Sequence, residues 1–386
     1  MADSLYLSEI FKVIEGAVRL DPEKVRNYSL LLADKLESSG DTASARRLRR
    51  LLEDPGGQIR PLRLEQSPPP PVDSESRFPL LERIKPSDWA IPVVLSEQQT
   101  NIVDEFTQAV KHRVALENQG LRSTPSLLLY GPPGCGKTHL AIDIARRLDL
   151  PIFVARLDGL ISSFLGSTAK NIRAIFEFAA RTPCVLFVDE FDAIAKVRDD
   201  QQELGELKRV VNSFIQTLDA LSRDLIVIAA TNHERLLDGA VWRRFSFQLE
   251  MPFPNPEGRK RLWTDYLPSG SWTKRDIAIL SDLSDGFSGA SIQAACDRLK
   301  TRLVTHQEQP NLNLAVRAAV SHMPAFRQGI SLNFELMTKP EELFSVLSQR
   351  APELYSIGIV SEIAGVPKST LARRLHSAGS LKLNPA

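Results

Sequence analysis

At 386 residues the chain is long enough for two or three domains, one of them able to enclose a full α/β core. Apolar residues at 43% and charged residues at 25% are ordinary for a globular protein. With 48 basic against 47 acidic side chains the net charge is +1, so no global field draws the chain to nucleic acid or membrane. Cys135, Cys184 and Cys296 are too few and too scattered for a disulfide framework or a zinc site. No apolar run approaches the roughly 20 residues that cross a bilayer, and Met-Ala-Asp-Ser-Leu-Tyr at the start is not a signal peptide. These features predict a cytoplasmic protein without a membrane partner.

Residues 1–53 read as helices. Leu5, Ile10, Phe11, Ile14 and Val18 recur at helical spacing, and Asp21-Pro22 places proline at a first helical position. Val25 to Leu36 continues a second helix, and Thr42 to Leu52 a third, with Arg46, Arg47, Arg49 and Arg50 on its outer face. Those arginines read as a solvated face more readily than as a phosphate patch. A Pro-rich stretch with Ser67-Pro-Pro-Pro-Pro71 follows, and 54–88 is expected to be a semi-rigid linker. Helical periodicity resumes at Leu95 and leads to the apolar run Leu127 to Tyr130.

The next stretch carries chemistry. Gly131-Pro132-Pro133-Gly134-Cys135-Gly136-Lys137-Thr138 has the G-x-x-x-x-G-K-[ST] spacing between a strand and a helix that begins near His139. Such a loop needs glycine because its backbone N–H groups must turn inward around phosphate oxygens. Lys137 is expected to reach the β/γ-phosphates and Thr138 to ligate Mg²⁺. Ile152 to Ala155 is a second strand, Leu160 to Gly166 a loop and Lys170 to Ala180 a helix. Cys184 to Val188 is a continuous apolar run, the pattern of a strand covered on both faces, and it ends in Asp189-Glu190. Asp189 suits the metal and Glu190 the attacking water. Gly205 to Leu221 reads as a helix. Leu225 to Ala230 is another buried strand, ending at Thr231-Asn232, and Phe245 to Glu250 a last short one. Alternating strands and helices predict an α/β fold, a P-loop doubly wound parallel sheet with ligands at the carboxyl ends of its strands. Asn232 is placed to bond the γ-phosphate or the water. Arg243 and Arg244 suit bidentate phosphate contact, most naturally in the site of a neighbouring subunit.

These segments resemble an AAA ATPase, of the AAA subfamily proper within the AAA+ class. The resemblance rests on 131–138, on Leu-Phe-Val-Asp-Glu-Phe-Asp-Ala-Ile (186–194) and on Arg-Val-Val-Asn (209–212). It continues through Ile-Ala-Ala-Thr-Asn (228–232), Leu-Asp-Gly-Ala-Val-Trp-Arg-Arg-Phe (237–245) and Gly-Phe-Ser-Gly-Ala-Ser-Ile (286–292). It implies an ATPase core over 89–253, a helical lid over 254–322, and a ring, usually a hexamer, that spends ATP on remodelling or threading a protein substrate. It also implies sensor 1 at Asn232 and arginine fingers at Arg243 and Arg244. The adenine end would involve Ser288, Gly289 and Ala290; Ala290 stands where many AAA+ relatives carry a sensor-2 arginine, which the AAA subfamily proper also lacks. Phe164-Leu165-Gly166 falls where AAA unfoldases carry a pore loop, and an aromatic there can grip a chain without reading its sequence. Trp89 to Leu95 departs from the family by lacking Asp-Ile-Gly-Gly. The helices of 1–53 loosely resemble the three-helix microtubule-interacting-and-trafficking modules of some AAA ATPases, which implies an adaptor for a partner protein.

The C-terminal region 323–386 stands outside that resemblance. Val360 to Leu375 resembles a helix-turn-helix within 357–376, with its turn at Gly365 and a second helix opened by Pro367. Lys368, Ser369, Thr370 and Arg373 would then face a DNA major groove. Three functions are compatible with the sequence. The first is a protein remodeller, possible partner of a separate effector such as a protease, since no protease motif is present. The second is a DNA-associated ATPase. The third is a scaffold whose nucleotide only cements a ring.

Overall fold

The computed structural model describes residues 6–19, 21–53, 69–73, 77–88, 93–113, 116, 119, 125–156, 165–191, 217, 225–237, 239–321 and 334–377. The chain divides into two compact units, residues 1–131 with 137–251, and residues 132–136 with 252–386.

The first unit is built on a six-stranded sheet of order β1-β3-β4-β5-β2-β6. Its strands are β1 (Glu82–Ile84), β2 (Ser126–Tyr130), β3 (Ile152–Arg156), β4 (Val185–Asp189), β5 (Ile226–Thr231) and β6 (Phe247–Glu250). Strands β2 to β6 pair in parallel, and β1 is an antiparallel edge on β3. Every residue of β5 and the first four of β2 and β4 are buried, as continuous apolar runs require in a sheet covered on both faces. The register sets Tyr130 opposite Thr231 and Val188 opposite Ala229. The loops leaving β2, β4 and β5 therefore start at one edge of the sheet.

The helices of this unit are α1 (Leu7–Val18), α2 (Pro22–Ser38), α3 (Thr42–Glu53), α4 (Glu97–Lys111), α5 (Lys137–Leu148), α6 (Leu165–Arg181) and the short α7 (Gly239–Trp242). Asp21 caps α2 through the Lys24 N–H, and Ser96 with Gln99 closes a capping box on α4. The first two helices dock on the other elements of this unit rather than standing apart. Asn27 donates to the Arg181 carbonyl at 3.2 Å, and Arg113 to Ser8 Oγ at 3.2 Å. At the α1–α2 crossing a Cβ on Gly16 would stand 2.9 Å from the Val25 nitrogen. Burial alone would raise the Glu15 carboxyl; Lys12, Lys24 and Arg19 outweigh it and hold it below its ordinary value.

Three boundaries differ from expectation. The expected linker contains β1 and a small hairpin, Val72 bridging Pro79. Asp73 anchors that hairpin by accepting from Asn171 at 2.6 Å, both residues buried. Leu80 and Leu81 enter the core beside it. The expected loop to Gly166 is cut short, because α6 begins at Leu165; helix propagation from the apolar stretch Ile172–Ala179 overrides the weak propensity of Gly, Ser and Thr. The last strand starts at Phe247 rather than Phe245. The expected helix 205–221 lies outside the described residues, apart from 217, as does the Arg209–Asn212 motif.

The second unit holds α8 (Pro256–Tyr266), α9 (Lys274–Leu283), α10 (Gly289–His306), α11 (Leu312–Val320), α12 (Phe334–Thr338), α13 (Pro340–Arg350), α14 (Ile357–Ala364) and α15 (Lys368–Ser377). The stretch 254–322 expected to be helical is divided into separate helices by N-caps at Asn255, Thr273, Ser288 and Asn311. Trp263, fully buried, donates to Ser284 Oγ at 2.9 Å. The C-terminal helices are fastened to the helices that precede them in this unit. Tyr355 donates to Asp282 at 2.6 Å, Arg350 pairs with the same carboxylate, and Asn313 donates to the Ile363 carbonyl. Burial, reinforced by the Asp282 charge, drives the Tyr355 phenol far above its ordinary range. Pro367 sits one residue before α15 rather than inside it. Replacing Gly16 by valine should push α1 off α2 and cost about 1–3 kcal/mol, read as a lowered Tm.

Candidate functional site

The glycines of the phosphate loop are required by space. A Cβ on Gly131, at φ +132°, would stand 2.4 Å from the Met251 carbonyl oxygen. Met251 is that close because β6 runs on beside β2, its N–H donating to the Tyr130 carbonyl at 2.7 Å. In the second unit, a Cβ on Gly134, at φ +74°, would stand 2.7 Å from Ser288 Oγ and 2.9 Å from the Ala290 Cβ. The Ala290 N–H donates to the Gly134 carbonyl at 3.0 Å. The structure thus brings Ser288, Gly289 and Ala290 onto the loop's central residues, and the small side chain at 290 lets the α10 N-terminus come that close.

Lys137 is buried and its Nζ donates to the Gly131 carbonyl at 2.7 Å, across the base of the loop. The Thr138 hydroxyl donates to Asp189 Oδ2 at 3.2 Å, joining the first turn of α5 to the end of β4. The other oxygen of Asp189 accepts the Glu190 N–H at 2.9 Å. Glu190 is exposed, at φ +53°, a left-handed conformation that costs a non-glycine residue on the order of 1–3 kcal/mol. It is held there because the next N–H, of Phe191, is tied to the Ala230 carbonyl of β5 at 2.8 Å. Asn232 follows β5 and is half-buried. Lys137, Thr138, Asp189, Glu190 and Asn232 all leave the same edge of the sheet. His139 lies half-buried in the first turn of α5, and burial lowers its imidazole below the ordinary value.

Arg243 and Arg244 are exposed on the turn after α7. A device the sequence reading missed fixes that turn. The Ser126 N–H donates to Ser246 Oγ at 3.0 Å and the Ser246 N–H to Ser126 Oγ at 3.1 Å. Ser126 Oγ then donates to the Arg244 carbonyl at 3.1 Å, and Ser246 Oγ to the Ser126 carbonyl at 3.2 Å. Both hydroxyl protons are used, and the arginine turn is clamped to the start of the phosphate-loop strand. These bonds also explain why β6 begins two residues late. Phe191 meets Phe245 edge to face at 6.1 Å, packing the residue after Glu190 on the residue after Arg244. Only the aromatic residues themselves were visible in the sequence, since neither serine belongs to a recognisable motif.

Phe164 lies outside the described residues; Leu165 is the first residue of α6. On α15, Lys368, Ser369 and Arg373 are exposed and Thr370 is half-buried.

Comparison with known proteins agrees with this geometry. The family model "ATPase family associated with various cellular activities (AAA)" matches residues 127–253. The AAA family ATPase y4kL of Sinorhizobium fredii is 37% identical over 297 residues, 74% of this chain and 87% of the relative. The chain belongs to the AAA ATPase family. A proteasome-activating nucleotidase of Sulfurisphaera tokodaii is 34% identical over 211 residues, and the chain spans about half the length of such relatives, here 54%. Among solved structures, the FIGL-1 AAA domain aligns with a TM-score of 0.54 at 22% identity, covering 73% of this chain and 93% of that one. A HORMA:CdnC:Trip13 complex from E. coli MS115-1 contributes a chain with a TM-score of 0.52 at 23% identity, covering 64% and 95%. At those identities the likeness concerns the fold: an α/β sheet, mainly parallel, with flanking helices.

The three cysteines of this AAA ATPase are distinguishable. Burial pushes the Cys184 and Cys296 thiols up to about 12, whereas Cys135 is only half-buried, within the loop. Iodoacetamide at neutral pH should therefore label Cys135 before either of the others, and ATP should slow that labelling, as peptide mass spectrometry would report.

Proposed function

We propose that this AAA ATPase assembles as a ring, a hexamer, in the cytoplasm and couples ATP hydrolysis to remodelling or threading of a protein substrate. The pairing of Thr138 with Asp189, beside buried Lys137 and strained Glu190, carries the reading, and the likeness to proteasome-activating nucleotidases supports its protein-substrate half. In it, the N–H groups of 131–136 and the α5 N-terminus hold the ATP phosphates. Lys137 exchanges its bond to the Gly131 carbonyl for one to phosphate. Glu190 orients the attacking water and accepts its proton, leaving ADP and inorganic phosphate. Asn232 bonds that water or the γ-phosphate. Exposed Arg243 and Arg244 serve the site of the next subunit, held in place by the serine clamp.

The hydroxyl and carboxylate of Thr138 and Asp189 are hard oxygen donors and fit Mg²⁺, which in nucleotide sites takes one or two protein ligands and completes its shell with phosphate and water. Among the described residues there is no cluster of three or more His, Cys, Asp or Glu that would suit a metal held by protein alone. When bound, the ion would neutralise charge on the phosphates.

A second reading, a DNA-associated role, draws on the exposed Lys368, Ser369 and Arg373 of α15 behind the tight turn at Gly365, φ +70°. The helix-turn-helix shape belongs to this second reading, whereas the adaptor role of α1–α3, toward a partner protein, belongs to the first.

Glu190→Gln should lower ATP turnover by about 10²–10⁴-fold in a phosphate-release assay while ATP binding persists; an unchanged rate would remove Glu190 from the chemistry. Phe164→Ala should stop unfolding of a tagged substrate while hydrolysis continues, and equal unfolding by the variant would sink the threading step. For the second reading, Lys368→Ala with Arg373→Ala should weaken salt-sensitive DNA binding by the full chain; no measurable DNA binding by the parent ends it.

A further inference from the structure

The turn that carries Arg243 and Arg244 is flanked on both sides by aromatic rings. Helix α7, which delivers it, is a single turn of four residues, far too short to keep a direction of its own. The aim of the turn is therefore set by tertiary contacts. Trp242, immediately before the arginines, is half-buried and meets Tyr130 edge to face, with ring centres 5.0 Å apart at 79°. Phe245, immediately after them, is buried and meets Phe191 at 87°. Both are the T-shaped arrangement that aromatic pairs favour. Backbone bonds close the turn between the two rings. The Arg244 N–H donates to the Val241 carbonyl at 3.0 Å, and the Phe245 N–H to the Trp242 carbonyl at 3.3 Å. That second carbonyl also accepts from Gln248 Nε2 at 2.9 Å.

The residues on which the two rings rest adjoin the chemistry. Tyr130 ends β2, one residue before Gly131 opens the phosphate loop, and Phe191 directly follows Glu190. The serine clamp holds the backbone of the turn at Arg244 and Ser246, beside the start of β2. Alone it would leave the turn free to pivot about that edge. Contacts at 242 and 245, on residues that end or follow two different strands, remove the pivot. We propose that Trp242 and Phe245 are positioning residues for ATP hydrolysis: seated on Tyr130 and Phe191, they aim Arg243 and Arg244 at the nucleotide of the next subunit. The proposal rests on the finger reading of those arginines given above and adds the residues that orient them. An arginine finger acts only where its guanidinium meets the transferring phosphoryl group, and a misplacement of about 1 Å can cost on the order of 10²-fold in rate. Neither ring belongs to the phosphate loop or to the strand-end residues beside it, so their loss should appear in kcat rather than in KM.

The test uses the full chain. Trp242→Leu should lower kcat for ATP about tenfold with KM changed by less than about twofold, and Trp242→Phe, which keeps a ring against Tyr130, should stay within about threefold of the parent. Phe245→Leu keeps a large apolar side chain in the core and should behave as Trp242→Leu does; it decides the question if Trp242→Leu does not assemble. Mixed rings supply a readout that a merely structural role would not move. Co-expressed with Glu190→Gln, either variant should give rings that turn over about fivefold faster than the mean of the two chains alone, because about one interface in four then joins an intact Glu190 to correctly held arginines of the neighbour. Arg243→Ala/Arg244→Ala mixed with Glu190→Gln is the reference and should gain likewise. A gain in the reference but none with Trp242→Leu or Phe245→Leu would overturn the proposal and leave the finger reading standing. No gain in any mixture would remove the finger reading and the proposal with it. Parental kcat in both Trp242→Leu and Phe245→Leu, or an equal loss in Trp242→Phe and Trp242→Leu, would also overturn it.

Discussion

The absence of a side chain at Gly131 is the constraint on which the rest of the site depends. The Met251 carbonyl occupies the space a Cβ would need, and it does so because β6 continues alongside β2 past the last paired residue. The point where β6 ends therefore decides how the chain leaves β2. That departure turns the Gly131 carbonyl to where Lys137 Nζ can reach it, and it fixes the start of α5. From there Thr138 meets Asp189. A loop that looks like a flexible run of small residues is thus tightly determined at its first position.

Elsewhere in the same unit, parallel-strand register places chemistry that no single segment contains. Because Val188 lies opposite Ala229 and Tyr130 opposite Thr231, the acidic pair, the phosphate loop and Asn232 share one edge. The left-handed Glu190 is the cost of attaching Phe191 to β5 immediately after β4 has ended. Residues in such sparsely populated conformations persist only where their surroundings over-determine them, and here the Asp189 carboxylate and the Ala230 carbonyl do so from either side.

Much of this was legible beforehand. The buried strands announced themselves as unbroken apolar runs, and the glycines, Lys137, Asp189 and Glu190 by spacing. What stayed hidden depended on pairings distant in sequence. Ser126 and Ser246 are 120 residues apart, and Asp73 with Asn171 98 apart, so neither produces a local pattern. The prolines before Val72 suggested a plain linker, and the apolar Leu80-Leu81 was too short a signal to reveal an edge strand. In α1 the periodicity gave the helix correctly but not the side that faces in. Period identifies an apolar face; only the glycine contact with Val25 says which face is packed.

The two-serine clamp has a consequence for how such sequences can diverge. Each hydroxyl there accepts the other residue's N–H and spends its own proton on a carbonyl. Losing either serine would take the hydroxyl acceptor from the other's N–H, that of buried Ser126 or of exposed Ser246, a loss that does not add independently. Substitutions at 126 and 246 are therefore coupled by epistasis. Lineages that keep one serine should keep both, and those that lose the pair need another way to hold the Arg243–Arg244 turn.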